Sequence, residues 1–293
     1  MNRTLKIAIQ GGPASFHETA AEQLFPAENI HTLSCASFPE LCQTLESGQA
    51  DFAVMAVQNS LAGPLLPNYS LVAQHGFSIL AERWLLLDQT LMALPGQRLA
   101  DIEQVWSHPI ALLQCSEFIH THPRLSTKET SDTADTARLL REGSITGVAA
   151  IASRKAAQLY GLEVLEANVA NDTENYTRFV VLSRQAKAQE ANKLTCVLPS
   201  PTEKELTDIL LKELEELNLE LTMLQTLPAH PSDWVLEVEA DDAAAISNLR
   251  TALIVADVPH QVLGLYAKAV TPLPQDRLAG CLSAIVQPQI ELV

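Results

Sequence analysis

The stretch Ile7-Ala8-Ile9-Gln10-Gly11-Gly12-Pro13-Ala14-Ser15-Phe16-His17-Glu18 decides the fold class. An apolar run makes a short buried strand, a glycine pair turns the chain, and Ser15 stands where a helix begins. Such a unit points free backbone N–H groups outward at the helix start, an arrangement suited to an anion. The spacing is not G-x-G-x-x-G and no P-loop lysine follows, so neither NAD nor ATP is expected. Ser15 also reads as a plain N-cap, and His17 and Glu18 as solvated residues of the first helical turn.

Strand-like and helix-like segments go on alternating from there. Residues 39–49 read as a helix ending at Gly48, and 51–57 as a buried strand. Residues 77–87 and 105–107 continue the apolar strand pattern. Residues 132–142 have helical spacing, with Asp132 or Thr133 as cap and Gly143 as stop. A strand at 147–151 and a small-residue helix at 153–160, stopped by Gly161, complete the run. This order predicts a parallel α/β sheet with crossover helices, whose ligand sits at the carboxyl ends of strands or between lobes.

A polar stretch at 184–192 reads as a linker. Beyond it come a strand (193–198), an amphipathic helix (201–217), and strands at 219–226 and 234–239 split by a turn at 228–233. A helix (241–256) and a strand (260–266) follow. The order βαββαβ predicts a ferredoxin-like sandwich, suited to a regulatory or dimerising module. The remainder, 273–293, is a tail.

With 47% apolar and 18% charged residues, the 293-residue chain is globular and has the length of about two domains. Its net charge of −16 argues against nucleic acid and requires any carboxylate site to carry local positive groups. The acid excess is denser after residue 185. Cys35, Cys42, Cys115, Cys196 and Cys281 fit neither a disulfide framework nor a zinc site, so reduced thiols in a cytoplasmic protein are expected. The N-terminus enters a strand at once, leaving no room for a signal peptide, and no apolar run has the length to span a bilayer.

Three further constellations carry polar chemistry. Gln58-Asn59-Ser60 ends a buried strand with two amides and a hydroxyl, neutral groups that orient a small molecule or form an ordinary turn. Trp106-Ser107-His108-Pro109, with Gln114-Cys115, puts a hydroxyl at another strand end. His108 reads equally as a turn residue, and Cys115, lacking a paired base, as packing. Asn175-Tyr176-Thr177-Arg178-Phe179 sets a hydroxyl and a guanidinium at the entry to a buried strand. An Arg there can grip a carboxylate through two parallel hydrogen bonds, or stand exposed on an edge strand.

Together these segments resemble the prephenate dehydratase family. Its landmarks appear in order across residues 5–185: Gly11-Gly12-Pro13-Ala14-Ser15-Phe16, Gln58-Asn59-Ser60-Leu61-Ala62-Gly63, Ser107-His108-Pro109-Ile110-Ala111-Leu112-Leu113-Gln114-Cys115, Ala149-Ala150-Ile151-Ala152 and Asn175-Tyr176-Thr177-Arg178-Phe179. The resemblance implies a bilobed catalytic domain at 1–185, like type II periplasmic binding proteins. The lobes would be 1–83 plus 177–185, and 84–176. An ACT domain would occupy 193–272, where Val262-Leu263-Gly264-Leu265-Tyr266 resembles the family's closing L-G-S-Y strand.

The implied activity is decarboxylating dehydration of prephenate to phenylpyruvate in phenylalanine biosynthesis, without a cofactor or metal. The resemblance gives Thr177 the proton-donor role. We expect its hydroxyl to polarise the leaving oxygen, with Ser60 or a water as relay and Asn59 beside it. Arg178 is assigned to the pyruvyl carboxylate, and Ser15, Gln58, Ser107 and Phe179 to the rest of the substrate wall. Gln58 and Ala14 depart from the family's usual Glu and Gly. The phenylalanine-binding sequences G-A-L-Y and E-S-R-P are replaced by residues 200–204 and 224–228, so an amino-acid effector is open while a homodimer or homotetramer is implied. Two other readings keep the fold: arogenate dehydratase, and a non-catalytic two-lobed amino-acid sensor.

Overall fold

Parallel strands β1 (Leu5–Gln10), β2 (Ile30–Cys35) and β3 (Phe52–Asn59) begin the larger of two sheets, in a computed structural model that describes residues 3–187, 190–199, 212–273 and 278. Helices α1 (Phe16–Leu24) and α2 (Phe38–Glu46) connect them. Each starts by the same device. The hydroxyl of Ser15 or Ser37 accepts from the N–H of the Glu three residues on, and that Glu reaches back to the N–H before the cap. A short strand β4 (Gly63–Pro64) folds against β3, and α3 (Leu66–Gln74) leads to β5 (Ser78–Leu86).

The chain then crosses to a second sheet. This holds β6 (Thr90–Ala93), β7 (Gln104–Ser107), β8 (Ser126–Glu129), β9 (Val148–Ala152) and β10 (Glu163–Glu166), in the order β10-β6-β9-β7-β8. Helices α4 (Pro109–Gln114), α5 (Ser116–His120), α6 (Thr133–Glu142) and α7 (Arg154–Tyr160) accompany it. The return strand β11 (Tyr176–Ser183) inserts between β3 and β5, antiparallel to both. Both sheets are therefore mixed, not parallel throughout as the alternation predicted. A strand arriving from the other lobe starts at the end nearest that lobe, beside the carboxyl ends of β3 or β9, and so runs the opposite way. β5 holds the first sheet as far as Leu86, past the lobe edge expected at 83.

The remaining elements are β12 (Lys193–Pro199), a helix α8 described over 212–216, β13 (Glu220–Leu227), β14 (His230–Glu239), α9 (Ala243–Val255) and β15 (Gln261–Tyr266). The four strands form an antiparallel sheet in the order β13-β14-β12-β15, the order a βαββαβ sandwich produces. Most of the helix expected at 201–217 lies outside the described residues. The turn expected at 228–233 shortens to Pro228-Ala229. Residues 230–232 extend the β14 arm beyond β12, where Pro231 needs no second ladder partner.

The smaller sheet does not stand apart from the first. β15 pairs with β5 in parallel at Gly264 and Ile79, so one sheet runs from β13 to β2. Val197, Met223, Val235 and Leu263 share a buried core with Leu41, Val57, Val180 and Leu182 of the first lobe. A Cβ on Gly264 would lie 2.7 Å from Ile79 Cβ and 2.9 Å from its carbonyl oxygen, so the junction demands a glycine. Of the tail, Leu273 and Leu278 pack with Trp84 and Tyr176. Cys35, Cys42, Cys115 and Cys196 are free and buried, and Cys281 lies outside the described residues. No helix among the described residues is long and apolar enough to cross a membrane.

Gly264→Ala is expected to destabilise the protein by about 1–3 kcal/mol through overpacking at this junction. Denaturant titration checks this, and an unchanged midpoint would mean the two sheets are not pressed together.

Candidate active site

A cavity of about 550 Å³ opens between the lobes, lined at the carboxyl ends of β1 and β3 by Gln10 and Asn59, and beyond β7 by His108. The first lobe supplies Ser15, His17, Ser37, Phe38, Asn59, Thr177 and Phe179 to its wall, and the second supplies His108, Gln114, Ser131, Asp132 and Thr133. The size is that of a small-molecule site.

Asn59 and Thr177 face each other across the β3–β11 ladder. The Asn59 amide donates to Thr177 Oγ1 at 3.0 Å, Asn175 Oδ1 at 2.7 Å and the Tyr176 carbonyl at 3.1 Å. Its own oxygen accepts from the N–H groups of Leu61 and Ala62, which fixes the direction of the amide. Thr177 Oγ1 is thus an acceptor toward Asn59, and its hydroxyl proton is left to donate into the cavity.

Phe179, two residues along β11, meets the His17 ring edge-on at 4.9 Å between centroids. Burial lowers the His17 pKa to about 3, so the ring is neutral at pH 7. Its Nε2 is buried without a hydrogen-bond partner among the described residues, as is Oε1 of Gln89 on the same wall. Asp132 caps α6 by accepting from the Asp135 N–H at 2.8 Å, and burial raises its pKa.

The lobes close on each other at the loop 11–15. A Cβ on Gly11 would sit 2.8 Å from Asp132 Oδ2, and Gly11 has φ +87°, so glycine is required on both counts. Ser153 Oγ donates to the Ala14 carbonyl at 2.8 Å, and Lys155 bridges Glu18 and Glu22 at 2.9 and 2.7 Å. The described cavity wall contains no Lys or Arg. The first turns of α1, α2 and α6 open onto it at Phe16, Phe38 and Thr133, and helix starts of this kind carry partial positive charge.

Four of the residues expected at the site stand elsewhere. Arg178 projects from the opposite face of β11, because successive strand residues alternate. Its Nη1 donates to Glu82 at 3.3 Å, and its Nη2 donates to both oxygens of Glu237 at 2.8 and 2.7 Å and to the Tyr69 hydroxyl. Burial alone would lower its pKa, but Glu237, Tyr69 and Glu82 outweigh this and hold it well above the ordinary value. Gln58 lies opposite Arg178 in the ladder and likewise faces away from the cavity. Ser60 Oγ donates to the Glu174 carbonyl at 3.2 Å and accepts from the Tyr176 N–H at 2.9 Å, so it pins the return crossing. Ser107 is fully buried and donates to the Ile151 carbonyl at 2.7 Å within the second lobe.

Sequence reasoning missed Ser37, Gln89 and Asp132 as wall residues and set His17 and His108 aside. Ser37 was legible from its Ser-x-x-Glu capping pattern, and Asp132 from its cap position. Nothing local marks Gln89 or turns His17 inward; only packing against Phe38 and Phe179 does so. Cys115 is buried packing, with its thiol pushed up to about 12 by burial.

A two-lobed α/β chain whose largely apolar cleft, free of Lys and Arg among its described lining residues, holds an amide-fixed hydroxyl belongs to the class of small-molecule cleft proteins. Residues 7–187 match the family model described as prephenate dehydratase, and the chain belongs to that family. It is 31% identical to the bifunctional chorismate mutase/prephenate dehydratase of Escherichia coli, over 89% of this chain and 70% of that protein. It is 35% identical to arogenate dehydratase 3 of Arabidopsis thaliana, over 77% of this chain but 54% of the plant protein. The chain thus spans about half the length of that relative. Among solved structures, the Arthrobacter aurescens prephenate dehydratase in complex with L-Phe shares the fold at a TM-score of 0.79, with 23% identity over 98% of this chain and 97% of that one. GqqA, described as a quorum quenching acylase, gives a TM-score of 0.75 and 28% identity over 90% and 98%.

His17 has a testable acid signature. Its pKa falls from 6.5 to about 3 on folding, so the unfolded chain takes up the proton first as pH drops. The stabilisation held above pH 6.5 is lost between there and about pH 3, by up to about 1.4 kcal/mol per pH unit. Urea titrations across this window should give a flatter stability profile for His17→Gln than for the parent. Identical slopes would mean the ring is not buried neutral.

Proposed function

We propose that the cleft converts prephenate to phenylpyruvate, as a lyase of phenylalanine biosynthesis. The observation that carries this reading is the Thr177 hydroxyl, held as an acceptor by Asn59 and left to donate into a cavity with no Lys or Arg among its described lining residues. Prephenate dianion plus one proton yields phenylpyruvate anion, CO2 and water. Aromatisation drives the reaction, so the site must orient the ring, deliver a proton to the departing hydroxyl and keep solvent out.

Thr177 donates a hydrogen bond to the leaving oxygen and relays the proton, while Asn59 fixes its rotamer. The titratable groups lining the same space are His17, which burial keeps neutral, His108 and Asp132. An alcohol alone is a poor proton reservoir near neutral pH, so the relay draws on a neighbouring acid, and Asp132, whose pKa burial raises, lines the same cavity. The ring carboxylate departs most readily when no cation neutralises it, which suits this wall. The first turns of α1, α2 and α6 offer partial positive charge for the pyruvyl carboxylate. Ser15 and Phe179 complete the lining.

The 193–272 unit is read as an ACT domain that dimerises the chain, a reading supported by its strand order and by Gly264 in the closing strand. Phenylalanine control does not follow, because residues 200–204 and 224–228 both lack the expected sequences. Buried free thiols support a cytoplasmic setting. The Arabidopsis relative's name favours a second reading, in which arogenate replaces prephenate.

Phenylpyruvate formation from prephenate, followed by ultraviolet absorbance, and phenylalanine formation from arogenate, followed by chromatography, test the two readings in parallel. Turnover of neither leaves the chain a binding protein. Thr177→Ala is expected to lower kcat about 10²–10⁴-fold; parental turnover in that variant would remove Thr177 from the chemistry.

A further inference from the structure

Arg178 is buried in the seam between the catalytic lobes and the C-terminal unit, immediately beside Thr177 in the chain. Its two carboxylate partners come from different parts of the fold: Glu82 from β5 of the first lobe, Glu237 from β14 of the C-terminal sheet. Both side chains are almost fully buried, at 1% and 2% exposure. Lys193 of β12 joins the same cluster, 3.0 Å from Glu82 and 2.8 Å from Glu239. Among the described residues the cluster therefore sets two cations against three carboxylates.

Glu237 is itself held rigidly. Thr195 and the Tyr69 hydroxyl each donate to its Oε1 at 3.1 Å, and Thr195 in turn pairs with the Tyr266 hydroxyl at 2.8 Å. The strand that carries Thr177 is irregular on one side only, where Arg178 leaves it. The β11–β3 register shifts between Arg178 and Phe179, while on the other side β11 stays in regular register with β5 from Tyr176 to Val181. Opposite Arg178 in that ladder stands Gln58, which carries no charge. The charge that locates the guanidinium therefore comes from β5 and from the C-terminal unit.

We propose that Arg178 is a positioning residue for the reaction, and that Glu237 of the C-terminal unit, by anchoring Arg178, holds the Thr177 hydroxyl at its working place in the cavity. This rests on the reading of Thr177 as the donor to the leaving oxygen. The C-terminal unit then forms part of the catalytic machinery's support, and any ligand or partner that moves β14 acts on turnover through one side chain.

The test replaces the pair together, Arg178→Met with Glu237→Met, which leaves the cluster's net charge unchanged and fills the space with apolar groups, an exchange buried ion pairs often tolerate. The expected result is a folded protein whose kcat for prephenate falls roughly 10–100-fold while KM stays within about twofold. Unchanged kcat overturns the proposal. So does a raised KM at parental kcat, the signature of a substrate anchor. In a Thr177→Ala background the pair replacement should cause no further loss of kcat, because both act through one hydroxyl; an additional tenfold loss there would assign Arg178 another route and overturn the proposal. If the pair replacement does not fold, Glu237→Gln, which keeps the shape and loses the charge, is read by the same criteria. A Thr177→Ala protein with parental turnover would instead bring down the reading of the site itself, before the role of Arg178 is reached.

Discussion

The return of the chain as β11 between β3 and β5 is the constraint on which the rest of the structure depends. Its first residues are fastened from the first lobe: Ser60 bonds both the Glu174 carbonyl and the Tyr176 N–H, and Asn59 reaches Asn175, Tyr176 and Thr177. Strand alternation then divides consecutive residues between two tasks. Thr177 and Phe179 face the cavity, while Arg178 faces the C-terminal unit. A single strand thereby joins the cleft, the lobe crossing and the domain seam.

Charge is handled differently on the two faces of that strand. The cavity side holds no Lys or Arg among the described residues, and its histidine on the first lobe is kept neutral by burial. On the proposed reading, the helix starts orient the substrate carboxylate through partial charges without neutralising it. The seam side concentrates full charges out of water, where two cations meet three carboxylates. Burial raises the pKa of Glu237 in principle, but Arg178 and Lys193 outweigh it and leave the group below its ordinary value. Such pairs add little net stability but are costly to break one partner at a time, which suits a fixed connection between domains.

Much of the fold was legible because its signals are local. The glycine turn at Gly11, the Ser15 and Asp132 caps and the buried run of β3 each follow from a few neighbouring residues. The placement of Ser15 and Asn59 on one cavity followed from a helix start and a strand end, and that of Thr177 and Phe179 from the family resemblance. The directions of Arg178, Gln58, Ser60 and Ser107 were not legible. A polar residue at a strand end reads the same whether it faces a ligand, a buried acid or a neighbouring carbonyl, and the partner that decides lies far away in sequence. Glu237, for example, is 59 residues from Arg178. The mixed strand directions escaped for the same reason, since they record which lobe a strand arrives from.

The sequence by itself determined the α/β class, the landmarks of the prephenate dehydratase family, and the cap residues that start the helices. These depend on periodicity, turn chemistry and short motifs, all of which act over a few residues. Only the tertiary structure decided that Arg178 serves the domain seam, that His17 and Asp132 line the cleft, and that β15 fuses the C-terminal sheet to β5 through Gly264. Each of those outcomes depends on which surfaces close against one another, and burial, charge pairing and close approach acquire values only when distant segments meet.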